Sequence, residues 1–286
     1  LKEGQLLLLD NVRFIKDEME KKPIEAHRES SIVKALGKIA NFFVLDGFAV
    51  SHRSHASVVG FATVIPSAVG YLMEKEIKNI LRLIERESKF AVVLGGAKVS
   101  DAIKYIDILT KNKNVDKILL TGRVAFFFHV ASGLKISKAL SDKMMKEFGK
   151  FLSDAKRIIK EDIVVLPDDY AIDNDGRKEV SIEELIKVES EPKDIGHRTI
   201  EKYLNIMKQY DHICMRGPAG VIEEDSFRIG TQKILNGILR ANKYLLLCGG
   251  HLAAMVPEEA KKRGSVCIST GGGAAVQFIG NGTLPG

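Results

Sequence analysis

The stretch Phe90–Asp101, with the sequence FAVVLGGAKVSD, predicts a strand, a glycine turn and a helix in immediate succession. Its first five residues, Phe90–Leu94, are apolar and mostly β-branched or aromatic, which suits a strand buried on both faces. Two glycines end the strand, and Ser100 is the predicted N-cap of the helix that follows. Helix N-termini attract anions, and Lys98 adds a positive charge to this turn. Alone, the stretch fits either a tight turn with a solvated lysine or a phosphate site.

Five further apolar runs alternate with helical patterns, which is typical of βαβ units around a parallel sheet. Four of them lead into glycine-bearing loops. The carboxyl ends of parallel strands share one sheet edge, where ligands bind, so the glycines are expected to gather there. This favours a nucleotide phosphate site over turn geometry alone. The runs are Lys117–Thr121, Ile163–Leu166, His212–Met215, Tyr244–Leu247 and Val266–Ile268.

Composition and missing motifs limit the function classes. With 286 residues the chain can form one large or two medium domains, and its net charge of +6 favours an anionic partner. Because no basic block, membrane-length apolar run, GxxxxGK[ST] or GxGxxG motif is present, we expect no nucleic-acid or membrane partner, no P-loop ATPase and no dinucleotide dehydrogenase. Three cysteines cannot all pair, which favours a reducing compartment. Cys214, Cys248 and Cys267 fall in or just after predicted strands, so they are expected to lie near one another.

The first part of the chain contains two more apolar runs. Leu6–Leu9 and Phe42–Leu45 are predicted as buried strands, separated by a helix over Pro23–Lys38. Phe61–Gly70 is predicted as a loop, and Tyr71–Glu87 as an amphipathic helix that is either an interdomain connector or an ordinary surface helix. Two strands do not make a stable sheet alone, so this part is either an edge of the larger domain or the remnant of a second one.

A basic loop, His52-Arg53-Ser54-His55, follows the second of these strands. Together with Arg13 it would suit a phosphorylated or carboxylated metabolite, because arginine binds such groups in bidentate fashion. A solvated loop is the alternative, and one HxxH pattern is weak evidence for zinc. No pair of carboxylates stands out for acid–base chemistry.

Two later segments have distinct patterns. Ser141–Lys160 is the clearest predicted helix of the second half, with Ser141 and Asp142 at its start. Tyr170–Asp194 is rich in Asp, Glu and Lys, which predicts a strand or loop excursion outside the main sheet.

Six motifs occur along the chain in the order Asp10–Phe14 (DNVRF), Asp46–Ser57 (DGFAVSHRSHAS), Gly95–Asp101 (GGAKVSD), Gly217–Glu223 (GPAGVIE), Gly249-Gly250 and Ser269–Gly273 (STGGG). In their order and approximate spacing they resemble the phosphoglycerate kinase family, most closely its archaeal branch, over essentially the whole chain. The resemblance implies an α/β fold with two doubly wound parallel-sheet domains joined by a helix, the N-terminal one incomplete. It implies a partial phosphoglycerate-binding domain at 1–70, a connecting helix at 71–88 and a nucleotide-binding domain at 89–286.

The resemblance also implies a role for each matching residue. It implies that phosphoglycerate is bound by Arg13, Arg53 and His52. It also implies that the transferring phosphoryl group is contacted by Lys98, Gly272 and Gly273. Besides Lys98, the implied nucleotide-binding residues are Gly95 and Gly96 at the base, Glu223 at the ribose, and Gly217, Gly220, Gly249, Gly250, His251, Leu252 and Gly271.

The sequence departs from the family pattern at three positions. A second basic residue, common four positions after the lysine, is Ala102 here, so one transition-state charge is missing or supplied elsewhere. The asparagine common before Gly-Pro is Arg216. The aspartate that usually holds magnesium aligns with His251, and imidazole is a poor ligand for Mg²⁺, so the metal ligand is left unassigned.

The implied reaction is glycolytic: reversible phosphoryl transfer between 1,3-bisphosphoglycerate and ADP, giving 3-phosphoglycerate and ATP, with Mg²⁺ bound to the nucleotide, in the cytoplasm. A carboxylate is already a nucleophile, so this transfer needs charge neutralisation and alignment rather than a general base. The family's opening third has no counterpart, so the sequence is expected to be a fragment. The alternatives are a nucleotide-binding fragment without turnover and a regulatory protein that shares the fold; the oligomeric state is undetermined.

Overall fold

A computed structural model describes residues 2–84 and 88–286 of the chain. It divides into two compact units, one made of Leu1–Lys78 with Gly282–Gly286 and the other of Asn79–Asn281. In the described ranges, no helix is both long and apolar enough to cross a membrane.

The first unit combines a small apolar core with a two-stranded parallel sheet. Helix α1 (Ser31–Leu36) contributes Ile32 and Val33 to this core, which also contains the buried side chains of Ala56 and Phe61. Helix α2 (Tyr71–Ile84) continues from this unit into the second one. The sheet strands are β1 (Phe43–Leu45) and β2 (Ser67–Val69), and the short helical segments besides α1 and α2 are Val12–Phe14, Ile24–Glu29, Phe48–Val50, Ala56–Gly60 and Phe61–Thr63.

The predicted buried strand at Leu6–Leu9 is wrong. None of these residues lies in a strand or helix, and the exposed fraction is 93% for Leu6 and 91% for Leu8. An apolar run becomes a strand only when a neighbouring strand accepts its backbone hydrogen bonds, and no described strand lies beside this one.

Three other predictions in the first unit are only partly right. The helix predicted over Pro23–Lys38 is divided into a 3-10 helix and α1, because Ser30 takes an extended conformation with ψ of 146°. Phe42–Leu45 does contain a strand, but Val44 is 53% exposed instead of buried. The predicted loop Phe61–Gly70 contains β2, whose three residues are too few for a clear periodic pattern.

The second unit contains the remaining regular elements. Its strands are β3 (Phe90–Leu94), β4 (Val115–Leu120), β5 (Val164–Val165), β6 (Asp169–Asp173), β7 (Arg177–Ser181), β8 (Asp194–Ile195), β9 (His212–Arg216), β10 (Tyr244–Cys248) and β11 (Val266–Ser269). Its helices are α3 (Val99–Leu109), α4 (Gly122–Ala131), α5 (Lys138–Phe148), α6 (Leu152–Ile158), α7 (His197–Met207), α8 (Ile229–Arg240), α9 (Gly250–Ala254), α10 (Glu258–Lys261) and α11 (Gly272–Asn281).

The main sheet has six parallel strands in the order β11–β10–β9–β3–β4–β5. This confirms the six runs predicted as strands, and β3 has the predicted bounds with every residue buried. The other strands differ from the predicted runs by at most two residues at either end, and the Ile163–Leu166 run is reduced to the two residues of β5. The predicted excursion at Tyr170–Asp194 is also confirmed, since β7–β6–β8 form a separate antiparallel sheet.

Helices cover both faces of the main sheet, as the predicted doubly wound fold requires. On one face, a continuous core joins strand residues such as Val93, Met215 and Leu247 to α7 and α8. Neighbouring residues of a strand point to opposite faces, and Arg216, next to Met215, lies over the Tyr105 ring of α3. Helix α3 therefore covers the other face.

The helix boundaries of the second unit include two corrections. Ser100 is not the N-cap of α3, because the cap is Lys98, which makes no side-chain cap bond. The helix predicted over Ser141–Lys160 begins earlier, where Ser137 Oγ accepts a hydrogen bond from Leu140 N, and it is divided into α5 and α6 by a 3-10 turn at Gly149–Phe151. Glycine at this position weakens the helix. The last three residues of the predicted helix Tyr71–Glu87 lie outside the described residues.

Candidate active site

One row of paired residues crosses the carboxyl end of the main sheet. Leu120, Leu94, Arg216, Cys248 and Ser269 are successive partners on β4, β3, β9, β10 and β11. The loops that follow them leave the sheet at one level, over a width of about 19 Å at 4.8 Å between strands. Ligands of open parallel sheets bind at this kind of edge. The row therefore brings together the loops that carry the predicted nucleotide residues.

Close backbone packing accounts for part of the glycine pattern. Gly217 has a φ of +74°, and a Cβ at this position would overlap the carbonyl oxygen of Gly95. A Cβ on Gly95 would in turn overlap the Pro218 carbonyl oxygen and the Thr121 hydroxyl. Glycine allows these three loops to approach one another at the centre of the edge. Tight packing of the turns is therefore enough to explain why glycine occupies these positions, without any ligand.

Gly249 and Gly250 are different, because a Cβ on either would meet no atom within 4 Å. Beside them begins α11, where a Cβ on Gly272 would lie 3.4 Å from the Cys248 carbonyl oxygen. The amides of the first turn of a helix have no partner within it and carry the positive end of its dipole. The N-terminus of α11, with Gly271, Gly272 and Gly273, therefore faces an open part of the edge that suits an anion.

Two cations lie along this edge without a carboxylate partner among residues 2–84 and 88–286. Lys98 is exposed beyond Gly96, whose φ is +99°, and its side chain makes no recorded hydrogen bond or ion pair. Arg216 is half-buried, and its Cζ lies 4.1 Å from the centre of the Tyr105 ring. Its Nε donates a hydrogen bond to the Gly272 carbonyl oxygen at 3.2 Å. Both charges are available to an anionic ligand.

The other predicted nucleotide-binding residues differ in how far they are exposed at this edge. Glu223 and His251 are exposed, the latter in the short helix α9. Leu252 is 1% exposed and its side chain belongs to the core, so only its backbone lies near the edge. A Cβ on Gly220 would overlap Asp194, which gives this glycine a packing reason of its own.

Sequence analysis missed Thr121 as a feature of this edge. Its hydroxyl is buried and has no hydrogen-bond partner in the described part of the chain. The preceding carbonyl, that of Leu120, accepts a hydrogen bond from the buried Tyr203 hydroxyl at 2.7 Å. The only signal in the sequence is that Thr121 is the polar residue that ends an apolar run.

The predicted phosphoglycerate residues lie in the first unit. Arg13 is exposed and Arg53 half-buried, and neither has an ion pair among the described residues. Val12, next to Arg13, packs against the core that contains Ala56. These contacts position the backbone of both segments, while no carboxylate in the described part of the chain forms an ion pair with either guanidinium group.

A buried carboxylate that sequence analysis missed anchors the basic loop. Glu18 is 1% exposed and accepts hydrogen bonds from Ser57 N at 3.0 Å and Ser57 Oγ at 2.5 Å. Its own carbonyl oxygen accepts one from Ala56 N at 3.0 Å. His55 Nδ1 lies 3.9 Å from the same carboxylate. Glu18 therefore holds the end of the HRSH segment in place.

Burial lowers the pKa of His52 below its ordinary value of 6.5, although a hydrogen bond to the Ala49 backbone opposes the effect. At neutral pH the imidazole is therefore uncharged. It can hydrogen-bond to a substrate, but the charge that neutralises an anion must come from the arginines.

The three cysteines are buried and form no disulfide, and Cys214 Sγ lies 3.8 Å from Cys248 Sγ, which confirms the predicted proximity for this pair. Over the described ranges, no group of three or more His, Cys, Asp or Glu side chains is arranged to hold a metal ion.

Comparisons with known proteins identify the family to which the chain is similar. The family model of phosphoglycerate kinase matches residues 1–281. Curated phosphoglycerate kinases of Methanobacterium bryantii and Sulfurisphaera tokodaii are 38% and 35% identical over the whole of this chain, which covers 70% and 69% of their lengths.

Solved structures give the same result. A crystal structure of phosphoglycerate kinase from Pyrococcus horikoshii superposes with a TM-score of 0.83 at 34% identity, over 100% of this chain and 72% of that one. The structure of the phosphoglycerate kinase from Coxiella burnetii gives 0.74 at 26% identity, over 96% and 70%. The predicted resemblance and fold class are confirmed, and none of these matches favours the alternative without turnover. The chain belongs to the phosphoglycerate kinase family, whose glycolytic reaction is reversible phosphoryl transfer between 1,3-bisphosphoglycerate and ADP.

Proposed function

We propose that ADP or ATP binds across the carboxyl edge of the six-stranded sheet, with its phosphates at the N-terminus of α11. The observation that carries this proposal is the row from Leu120 to Ser269, which starts five loops at one level. In this arrangement Gly95 and Gly96 lie against the base, and Glu223 binds the ribose. The other nucleotide contacts come from Lys98, Gly217, Gly220, Gly249, Gly250, His251, Leu252 and Gly271.

The phosphoryl group moves between two oxygens that are already nucleophilic, so its transfer requires no general base. Lys98 and the backbone amides of Gly272 and Gly273 stabilise the negative charge on the transferring oxygens. The backbone amides are fixed donors, which cost no reorganisation during the reaction and are worth more in a water-poor site than in solution. Lys98 is suited to this role because no described carboxylate neutralises it.

Phosphoglycerate is held by the first unit through Arg13, Arg53 and His52. A guanidinium presents two parallel donors to a phosphate or carboxylate, and neither arginine is committed to a protein carboxylate among the described residues. On this basis residues 1–70 form a partial phosphoglycerate-binding domain and 89–286 the nucleotide-binding domain, connected by the segment 71–88, which begins with α2. The enzyme acts in the cytoplasm, where its three cysteines stay reduced.

Magnesium enters the site as a complex with the nucleotide. The protein's own donors at this edge do not fit the ion well, because Mg²⁺ prefers oxygen ligands and the residue at the expected position is His251, an exposed imidazole. The phosphates of the nucleotide supply the oxygens, while the protein contributes the fixed cations and backbone amides around them.

A steric block at the edge tests the nucleotide site. Gly250→Leu places a side chain in open space at the carboxyl end of the sheet, and Gly264→Leu does the same at the opposite end, before β11. We expect calorimetry to show at least tenfold weaker ADP binding for Gly250→Leu and unchanged binding for Gly264→Leu. Equal ADP affinities for the two variants would refute the placement.

The phosphoglycerate site is tested by Arg53→Ala, with Arg28→Ala as the control. Arg28 is exposed in the same unit and forms no hydrogen bond or ion pair among the described residues. We expect Arg53→Ala to weaken 3-phosphoglycerate binding and leave ADP binding unchanged, while Arg28→Ala changes neither. An equal loss of both ligands in Arg53→Ala would contradict the division into two sites.

A further inference from the structure

Arg216 lies at the centre of the carboxyl edge, on β9, between the strands β3 and β10 that lead into two of the glycine loops. Its backbone pairs with Leu94 on one side and Cys248 on the other, and its carbonyl oxygen accepts a hydrogen bond from Gly95 N at 2.8 Å. The side chain therefore begins where the glycine turn after β3 and the open space at Gly249 meet.

The side chain of Arg216 is held in one orientation by groups that do not neutralise it. Its guanidinium lies over the Tyr105 ring, with Cζ 4.1 Å from the ring centre, and Nε donates to the carbonyl oxygen of Gly272 at 3.2 Å. These contacts use one of its three nitrogens. Nη1 and Nη2 have no recorded hydrogen bond, and no carboxylate among residues 2–84 and 88–286 forms an ion pair with them. A half-buried, fixed guanidinium of this kind suits an anionic ligand.

Helix α3, which packs beside Arg216, has an alanine, Ala102, where the family resemblance leads us to expect a cation. Ala102 and Tyr105 are three residues apart on α3, so they share the face that packs on the sheet. Ala102 is 1% exposed, and this is the position at which the family resemblance leads us to expect a second basic residue. The guanidinium of Arg216 lies over Tyr105, against that same face.

We propose that Arg216 supplies the second cation for the transferring phosphoryl group, replacing from β9 the charge that α3 lacks at Ala102. The proposal rests on the nucleotide site proposed above. In the transfer, a bond forms between phosphorus and a terminal β-phosphate oxygen of ADP while the bond to the acyl oxygen of 1,3-bisphosphoglycerate breaks. The electron pair of the broken bond remains on the carboxylate of 3-phosphoglycerate, and no proton moves. Nη1 and Nη2 donate to the oxygens of the group in transit.

The test compares Arg216→Asn, Arg216→Lys and the double variant Arg216→Asn/Ala102→Lys. A hydrogen bond to a charged group corresponds to about 10- to 100-fold in affinity. We expect Arg216→Asn to bind ATP at least tenfold more weakly by calorimetry and adenosine within twofold of the parent protein, with kcat about 100-fold lower. Arg216→Lys keeps the charge and is expected to recover part of both losses.

The double variant separates a catalytic cation from a structural arginine. Restored ATP affinity and kcat in Arg216→Asn/Ala102→Lys would support the proposal, because the new lysine reaches the same site from the other element. If the double variant fails to fold, the comparison of Arg216→Lys with Arg216→Asn decides. Parent-like ATP affinity and kcat in Arg216→Asn, or equal losses of ATP and adenosine binding, would overturn it. If Gly250→Leu abolishes ADP binding while Arg216→Asn behaves as the parent protein, only the role of Arg216 fails.

Discussion

Replacing Lys98 by alanine isolates the contribution of one free charge. Lys98 is exposed, its side chain forms no ion pair or hydrogen bond with residues 2–84 and 88–286, and it makes no side-chain cap bond although it is the N-cap of α3. Its removal should therefore leave the free energy of unfolding within about 0.5 kcal/mol of the parent protein. A larger loss of kcat or of ADP affinity must therefore come from lost contacts with the ligand.

The expected effect on the reaction follows from Coulomb's law. A unit charge about 4 Å from a phosphoryl oxygen contributes about 4 kcal/mol at an effective dielectric constant of about 20. Loss of one comparable transition-state donor costs about 3–4 kcal/mol, or roughly 10²–10³ in kcat. We expect Lys98→Ala to lower kcat by this factor and to weaken ADP binding much less.

A coupled assay in both directions, with ADP calorimetry and urea unfolding, measures these quantities. The matched control is Lys104→Ala, which removes an exposed lysine of the same helix that also has no recorded partner. Its kcat should equal that of the parent protein. A kcat within twofold of the parent value for Lys98→Ala, or an equal loss in the two variants, would refute the role given to Lys98.

Three further predictions concern the scaffold of the site. Gly217→Ala should cost more unfolding free energy in urea than Gly133→Ala, since both have positive φ but only the Gly217 Cβ would overlap backbone; equal costs would contradict this. Tyr203→Phe should cost about 1–3 kcal/mol, because the Leu120 carbonyl loses its buried donor; no change in the urea midpoint would count against it. Burial lowers the pKa of His129, so stability should fall as the pH decreases below 6.5, and less so in His129→Gln; parallel pH profiles would refute this.

The main sheet was predictable from sequence because its strands are buried on both faces. Phe90–Leu94 is apolar at every position, and it forms strand β3 with the predicted bounds. The glycine loops after these strands could then be assigned to the same edge of the sheet, since the carboxyl ends of parallel strands all lie on one side. In the structure, Leu94, Arg216 and Cys248 are paired across this edge.

The first unit was predicted less well because its local patterns conflict with its tertiary contacts. Leu6–Leu9 is more apolar than β2, yet β2 is the segment that pairs with β1. Asp46 was prominent as part of a motif, but its carboxylate accepts a hydrogen bond from Met73 N at 2.9 Å, in the first turn of α2. Such long-range contacts leave no periodic signal in the sequence.

The placement of the nucleotide is tested most directly by hydrogen exchange measured by mass spectrometry, with and without saturating ADP. Bound nucleotide should slow exchange in peptides covering 95–98, 217–220, 249–252 and 271–274, which follow β3, β9, β10 and the last strand β11. Peptides covering 112–114, 241–243 and 264–265, at the opposite end of the same sheet, should exchange at unchanged rates. Protection at that opposite end, with none in the four glycine loops, would contradict the account.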